Sequence, residues 1–227
     1  MKLAFVLTFV LLNLQSGKRE VINAEHAKVR TAPCSTFKIP HALIGLETGV
    51  LSGADHPMKW DGIQRDRAEW NRDQTLRSAI EFSTVWYFQA LAQKLGRDRE
   101  KEWLTKIPYG NADVSAPLDR FWFPSGSLRI SVDEQVDFVK RLYLDTLPFA
   151  RRNQAIVRDC LVRARGPHGV FSGKTGSGGQ LGWFVGHVTH DGAAYVFATR
   201  LEEPGTDGPK AKARTEQLLR ERGLWIE

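Results

Sequence analysis

A serine and a lysine stand three residues apart in APCSTFKIPHALIGLETGV, as Ser35 and Lys38. On a helix, positions i and i+3 share a face, so the hydroxyl and the amine can meet. A serine hydroxyl is a weak nucleophile until a base takes its proton. A lysine acts as a base only after losing its own proton, and apolar surroundings lower its pKa toward that condition. Phe37, Ile39 and Pro40 supply such surroundings. A serine at a helix start also meets unpaired backbone N–H groups and the positive end of the helix dipole, both of which favour developing negative charge. Alone, the spacing is weak evidence. Average composition gives roughly one Ser-x-x-Lys per chain of this length, and a capping serine before a surface lysine is the commoner outcome.

Two further motifs add chemistry. Ser83 in EFSTVWYFQ sits between two helical stretches. There a hydroxyl can pass a proton between a reacting centre and its base, or simply cap a helix. Lys174, Thr175 and Gly176 lie in FSGKTGSGG. Glycines on a strand let a ligand or another backbone come close, and the lysine and threonine offer a charge and a hydroxyl to a carboxylate. The competing reading is an edge-strand lysine that resists aggregation. A chance Lys-Thr-Gly is uncommon, on the order of one chain in twenty. The three motifs in this order are far more specific than any one.

The elements that must position them are legible in outline. The 227 residues, 42% of them hydrophobic and 7 of them Trp, suffice for one good core, divided between two lobes. The net charge of +6 is spread among acidic residues, as in RDRAEWNRDQTLR, which argues against a nucleic-acid partner. Cys34 and Cys160 read as two buried free thiols, with pairing left open. The opening MKLAFVLTFVLLNLQSG resembles a signal peptide in part, and is too short for a comfortable membrane span. From Thr8 onward a hairpin turning at Ser16-Gly17 fits better.

Helical patterns follow. One starts near Ser35, with Pro40 tolerated in its first turn and Gly49 as its stop. Others cover 73–82 and 84–95, broken at Ser83 and ended by Gly96, then 98–107. A Ser131-x-x-Glu134 capping box opens 131–143, and 150–161 is helical. Strands at 169–176, 181–189 and 193–201 come next, the last two joined across HDG, and a helix from 210 closes the chain. The expected fold is α+β: a central antiparallel sheet built from the N- and C-terminal segments, flanked by helices, plus a helical lobe. Residues 1–34 and 165–227 form the sheet-containing lobe and 35–164 the mainly helical lobe of one catalytic domain.

Ser-x-x-Lys with Lys-Thr-Gly is an established pair in class A β-lactamases and penicillin-binding proteins. Here the middle motif is Ser83-Thr84-Val85 rather than Ser-Asp-Asn, Tyr109-Gly110-Asn111 follows, and FWFPSGSLRIS brings Trp122. With STFKI, KWDG, YGN, GSLRIS, KTG and GWFVG, nearly the whole chain resembles the class D serine β-lactamases, the oxacillinases, of the β-lactamase/transpeptidase-like fold.

The resemblance implies hydrolysis of β-lactam antibiotics through a serine acyl-enzyme. Ser35 would be the nucleophile. Lys38, carboxylated on Nζ by carbon dioxide or bicarbonate to N6-carboxylysine, would be the general base. Trp122 would donate its indole N–H to that carbamate, and Ser83 would relay a proton. Phe37 and Val85 would keep the pocket dry. Lys174, Thr175, Gly176 and Ser177 would line the substrate, with Arg214 in KARTEQ helping to hold its carboxylate. The backbone N–H groups of Ser35 and Ser177 would form the oxyanion hole. No metal and no other cofactor is implied. The partner is a small-molecule β-lactam, the protein a periplasmic monomer or homodimer without a stable membrane span. Two alternatives use the same residues: a receptor domain that senses β-lactams by acylating without turnover, and a penicillin-binding transpeptidase or carboxypeptidase. The latter usually carry Ser-x-Asn in the middle motif. Two features depart from the resemblance: a short run before Ser35, and a short link, TGSGGQLG, between Lys174 and Trp183.

Overall fold

In a computed structural model describing residues 6–226, the apolar run FVLL forms the middle of strand β1 (Val6–Asn13). The first five residues of the signal-like segment lie outside the described range. Asn13 starts the turn: its Oδ1 accepts from the N–H groups of Gln15 and Ser16, and Gly17 takes the left-handed conformation (φ +71°). The chain returns as β2 (Arg19–Ile22), the expected hairpin. β1 is apolar on consecutive residues because both its faces are covered. Phe9 and Leu11 pack under the C-terminal helix, and Val10 packs on the helical side.

Helix α1 (Ala24–Ala27) is a single turn. Helix α2 (Lys38–Glu47) is preceded by a 3₁₀ turn over Cys34–Phe37. The α-helix thus begins three residues later than the sequence pattern suggests. The Ser35–Lys38 relation survives, because three residues per turn also brings i and i+3 into line. Pro40 falls in the first turn of α2, and Gly49 at φ +72° follows its end. Every residue from Lys38 to Leu46 is buried, so α2 is the central rod around which the helical side packs.

A two-residue pair, β3 (Pro57–Met58) with β4 (Gln74–Thr75), escapes sequence reading because it is too short to show alternation. Helices α3 (Leu76–Glu81) and α4 (Val85–Leu95) are separated at Ser83 and followed by α5 (Arg97–Lys106). The capping box opens α6 (Val132–Tyr143): Ser131 Oγ accepts from Glu134 N–H at 3.2 Å, and the Glu134 carboxylate accepts from Ser131 N–H at 2.9 Å. Helix α7 (Arg151–Cys160) leads into β5 (Val162–Gly166), an edge strand the sequence hides. Its VRARG has charges where an apolar run would betray a strand, which suits an edge.

Strands β6 (Gly169–Gly178), β7 (Leu181–His190) and β8 (Ala193–Glu202) complete an antiparallel sheet in the order β2-β1-β8-β7-β6-β5. Both ends of the chain build it, as expected. Helix α8 (Gly208–Arg220), capped by Asp207, covers one face through Phe171, Phe184, Phe197, Leu218 and Leu219. The helical side covers the other. Burial of each such side chain is worth about 1.5–3 kcal/mol.

Two buried polar groups tether the segment that delivers Ser35. Arg200 on β8 is fully buried and donates to the carbonyls of Val29 (2.6 Å) and His26 (3.0 Å). Trp183 Nε1 donates to the carbonyl of Ala32 at 3.0 Å. Cys34 and Cys160 are both buried and free. No helix among the described residues is long and apolar enough to cross a membrane.

Candidate active site

The turn that carries Ser35 is held between the sheet and the loop around Trp122. Cys34 N–H donates to the carbonyl of Trp122 at 3.0 Å, and Cys34 itself sits at φ +50°. Gly176 on β6 is the close-approach glycine: a Cβ there would lie 3.0 Å from the Pro33 carbonyl oxygen. β6 therefore lies directly against the turn. Across the cleft, Ser83 at φ +56° reverses the chain between α3 and α4. A non-glycine residue in that region is strained by an amount on the order of 1–2 kcal/mol. The reversal turns the Ser83 hydroxyl toward the lysines.

Three elements far apart in sequence converge here. Lys38 Nζ lies 2.7 Å from Ser35 Oγ and 3.1 Å from Ser83 Oγ. Lys174 Nζ lies 3.0 Å from the same Ser83 Oγ and donates to the carbonyl of Thr175 at 3.1 Å. A continuous polar path thus runs from Ser35 through Lys38 and Ser83 to Lys174. Both amines are about 1% exposed. Burial pulls the pKa of Lys38 down to about 7, and the positive charge of Arg67 adds to the shift. Lys174 is also held well below its ordinary 10.5, by burial first and then by the charges of Lys38, Arg163 and Arg67. Near neutral pH Lys38 therefore exists in good part as a free amine. Beside it, burial pushes the Cys34 thiol up to about 12, so that thiol stays protonated and is no rival nucleophile.

Aromatic rings make the dry wall around Lys38. Phe37 is fully buried and stacks on Trp122 at 5.5 Å, and Lys38 Nζ stands 5.5 Å from the ring centre of Phe88. Phe88 was not singled out in the sequence, though it lies one helical turn beyond Val85, on the same face. Ser35 opens into a cleft of about 280 Å³ lined also by Cys34, Val85, residues 122–124 and residues 177–179. Of the residues the sequence pointed to, Ser35, Val85, Trp122 and Ser177 line this cleft, and Lys38, Ser83, Lys174 and Thr175 form the polar path behind it. Ser177 is tied by its Oγ, which accepts from Gly208 N–H at 2.7 Å.

Arg214 stands apart. Its guanidinium turns to Glu221, 3.8 Å away. The residue of α8 that abuts Thr175 is Gly208, about 9 Å up the helix axis from Arg214 at 1.5 Å per residue. Among the described residues no cluster of His, Cys, Asp or Glu could hold a metal ion.

Residues 7–220 match the penicillin binding protein transpeptidase domain family. The chain is 41% identical to the probable β-lactamase YbxI of Bacillus subtilis, over 96% of this chain and 81% of that one. The crystal structure of a class D β-lactamase from Bacillus subtilis superposes with a TM-score of 0.94 at 39% identity, covering 98% of this chain and 94% of the other. The chain belongs to the class D β-lactamases. Within the wider likeness, it is also 38% identical to the regulatory protein BlaR1 of Bacillus licheniformis, over 96% of this chain and 37% of that longer protein. Class D membership accounts for the Ser-Thr-Val middle motif, in which Val85 walls the cleft.

Proposed function

We propose that this protein hydrolyses β-lactam antibiotics through an ester on Ser35, with Lys38 as the site of the general base. The observation that carries the reading is the unbroken path from Ser35 to Lys174, at 2.7, 3.1 and 3.0 Å, around a lysine whose pKa is close to 7. Ser35 Oγ attacks the lactam carbonyl as its proton passes toward Lys38. The backbone N–H groups of Ser35 and Ser177 hold the oxyanion. The C–N bond of the ring breaks, and the ring nitrogen takes a proton by way of Ser83 Oγ. Water then attacks the ester, its proton again moving toward Lys38, and Ser35 is released with a ring-opened acid. Lys174 and Thr175 hold the substrate carboxylate, and Phe37 and Val85 exclude water.

Carbon dioxide fits this lysine. An uncharged amine is the form that adds it, and Ser35, Ser83 and Trp122 would surround the carbamate with hydrogen-bond donors. The modification would supply an anionic base at the same place. Trp122→Phe keeps the ring and removes the indole N–H. It is expected to slow deacylation more than acylation and to raise the bicarbonate needed for half-maximal activity, both read from bicarbonate titrations. A bicarbonate requirement equal to wild type would remove Trp122 from this role.

Lys174→Ala is expected to lower kcat/KM for a carboxylated β-lactam by about 2–4 kcal/mol of transition-state binding, since it removes a buried partner for the carboxylate. An unchanged kcat/KM would show that β6 does not hold the substrate.

A second reading, a receptor domain acylated without turnover, is favoured by the likeness to a regulatory protein. Steady-state assay with a chromogenic cephalosporin decides between them: continuous turnover supports the hydrolase, and a burst of one equivalent the receptor. A periplasmic site of action follows from the substrate class and belongs to the same proposal.

A further inference from the structure

Arg214 is turned to Glu221, which leaves the cations of the loop beside Ser83 as the other candidates to meet a substrate carboxylate. We propose that Arg67, on the loop between β3 and β4, binds the carboxylate of the substrate at the mouth of the cleft. The inference rests on the β-lactam reading above.

That loop, residues 59–73, holds four cations. Two are neutralised within it: Lys59 lies 2.7 Å from Asp73, and Arg65 2.6 Å from Asp61. Arg67 and Arg72 make no ion pair among the described residues, although Asp66 and Glu69 flank Arg67 in sequence. Each instead lies over an aromatic ring, Arg67 over Trp70 and Arg72 over Phe82, both at 5.2 Å. Stacking on an indole holds an exposed guanidinium in place while leaving its N–H edge free.

The platform under Arg67 is fixed to the active-site turn. Trp70 Nε1 donates to the carbonyl of Phe82 at 2.9 Å, and the carbonyl of Trp70 accepts from Trp86 Nε1 at 2.8 Å. Phe82 is followed by Ser83, whose Oγ is 3.0 Å from Lys174 Nζ. Arg67 is thereby held over the same turn that receives both lysines, and its charge is felt at Lys38 and at Lys174. Arg67 keeps its charge where the two buried amines shed theirs, so an anion entering beside Ser83 meets a fixed positive group. The geometry is that of an anion site completed by the substrate.

The carboxylate has two sources, the ring fused to the lactam and the acyl side chain. The test compares benzylpenicillin, its methyl ester and α-carboxybenzylpenicillin on wild type, Arg67→Ala, Arg67→Lys and Arg72→Ala. Arg67→Ala is expected to lower the preference for acid over ester, as a ratio of kcat/KM values, about fivefold to tenfold, near 1 kcal/mol. Arg67→Lys restores part of the preference, and Arg72→Ala leaves it within about twofold of wild type. The effect shrinks in about 1 M salt, where the screening length is about 3 Å. A loss seen with benzylpenicillin assigns the contact to the ring carboxylate. A loss confined to the dicarboxylate assigns it to the side chain. An acid-to-ester ratio and a rate on the dicarboxylate that are both unchanged in Arg67→Ala, or an equal fall in Arg72→Ala, overturn the proposal. If wild type is acylated without turnover, the hydrolase reading fails separately, and acylation rates from intact-protein mass give the same ratios.

Discussion

Ser35→Ala protein is expected to form no covalent adduct with a penicillin and to hydrolyse none. The substitution removes the one hydroxyl that both lines the cleft and lies 2.7 Å from Lys38 Nζ. The neighbouring hydroxyl cannot take its place. Thr36 is buried, with its Oγ1 bound to the carbonyl of Pro33 at 2.7 Å and to Gln135 at 2.7 Å. Loss of the nucleophile from an acyl-transfer site costs on the order of 10⁶ in kcat, as it does in other serine hydrolases. The fold should be untouched, since Ser35 is only half-buried and its side chain is small. Intact-protein mass after incubation with a penicillin checks this. An adduct formed at the wild-type rate would remove Ser35 as nucleophile.

Lys38→Ala is expected to be nearly as damaging, by about 10²–10⁴-fold in acylation, the usual worth of a positioned base. No added bicarbonate should rescue it. The pH profile carries a further signature. In bicarbonate-free buffer the wild-type rate should fall as pH drops through about 7, where Lys38 takes up a proton and ceases to be a base. The residual rate of the variant should lack that step. Stability should respond in the matching direction. Above about 7 the folded protein holds Nζ uncharged, whereas the unfolded chain keeps its proton up to about 10.5. Unfolding therefore takes up a proton in that window, and the wild type gains stability as pH rises across it. Denaturant titrations of wild type and variant, compared across the window, measure that difference. A wild-type rate indifferent to pH around 7 would place the base elsewhere.

Much of this was legible from local rules. Gly49 and Gly96 stop their helices, Ser131 and Glu134 cap each other, and the Asn13–Lys18 turn closes the hairpin, because each depends on residues a few positions apart. The sheet drawn from both ends of the chain followed from where the strand patterns fall. Less local features were not readable. Strand β5 is an edge piece of VRARG, stabilised by pairing with β6 rather than by its own pattern. The 3₁₀ turn at Ser35 is held by a long-range hydrogen bond, from Cys34 N–H to the carbonyl of Trp122. Ser83 and Lys174 are 91 residues apart, and nothing in the spacing of either announces a shared hydrogen bond. The placement of cations was hardest to read. Arg214 matches a motif by sequence, yet its side chain follows the rotation of α8 to Glu221. Arg67 matches none, and its place beside the Ser83 turn depends on Trp70, which is tied to Phe82.

The central chemical event is an ester at Ser35 that forms and is then hydrolysed. Wild-type protein mixed with excess benzylpenicillin, quenched over a time course and digested, should carry one added penicillin on the peptide containing Ser35. That adduct should reach a steady level, then vanish as the antibiotic is consumed over many turnovers. An adduct on another peptide, or one on Ser35 that persists after a single equivalent has reacted, would contradict it.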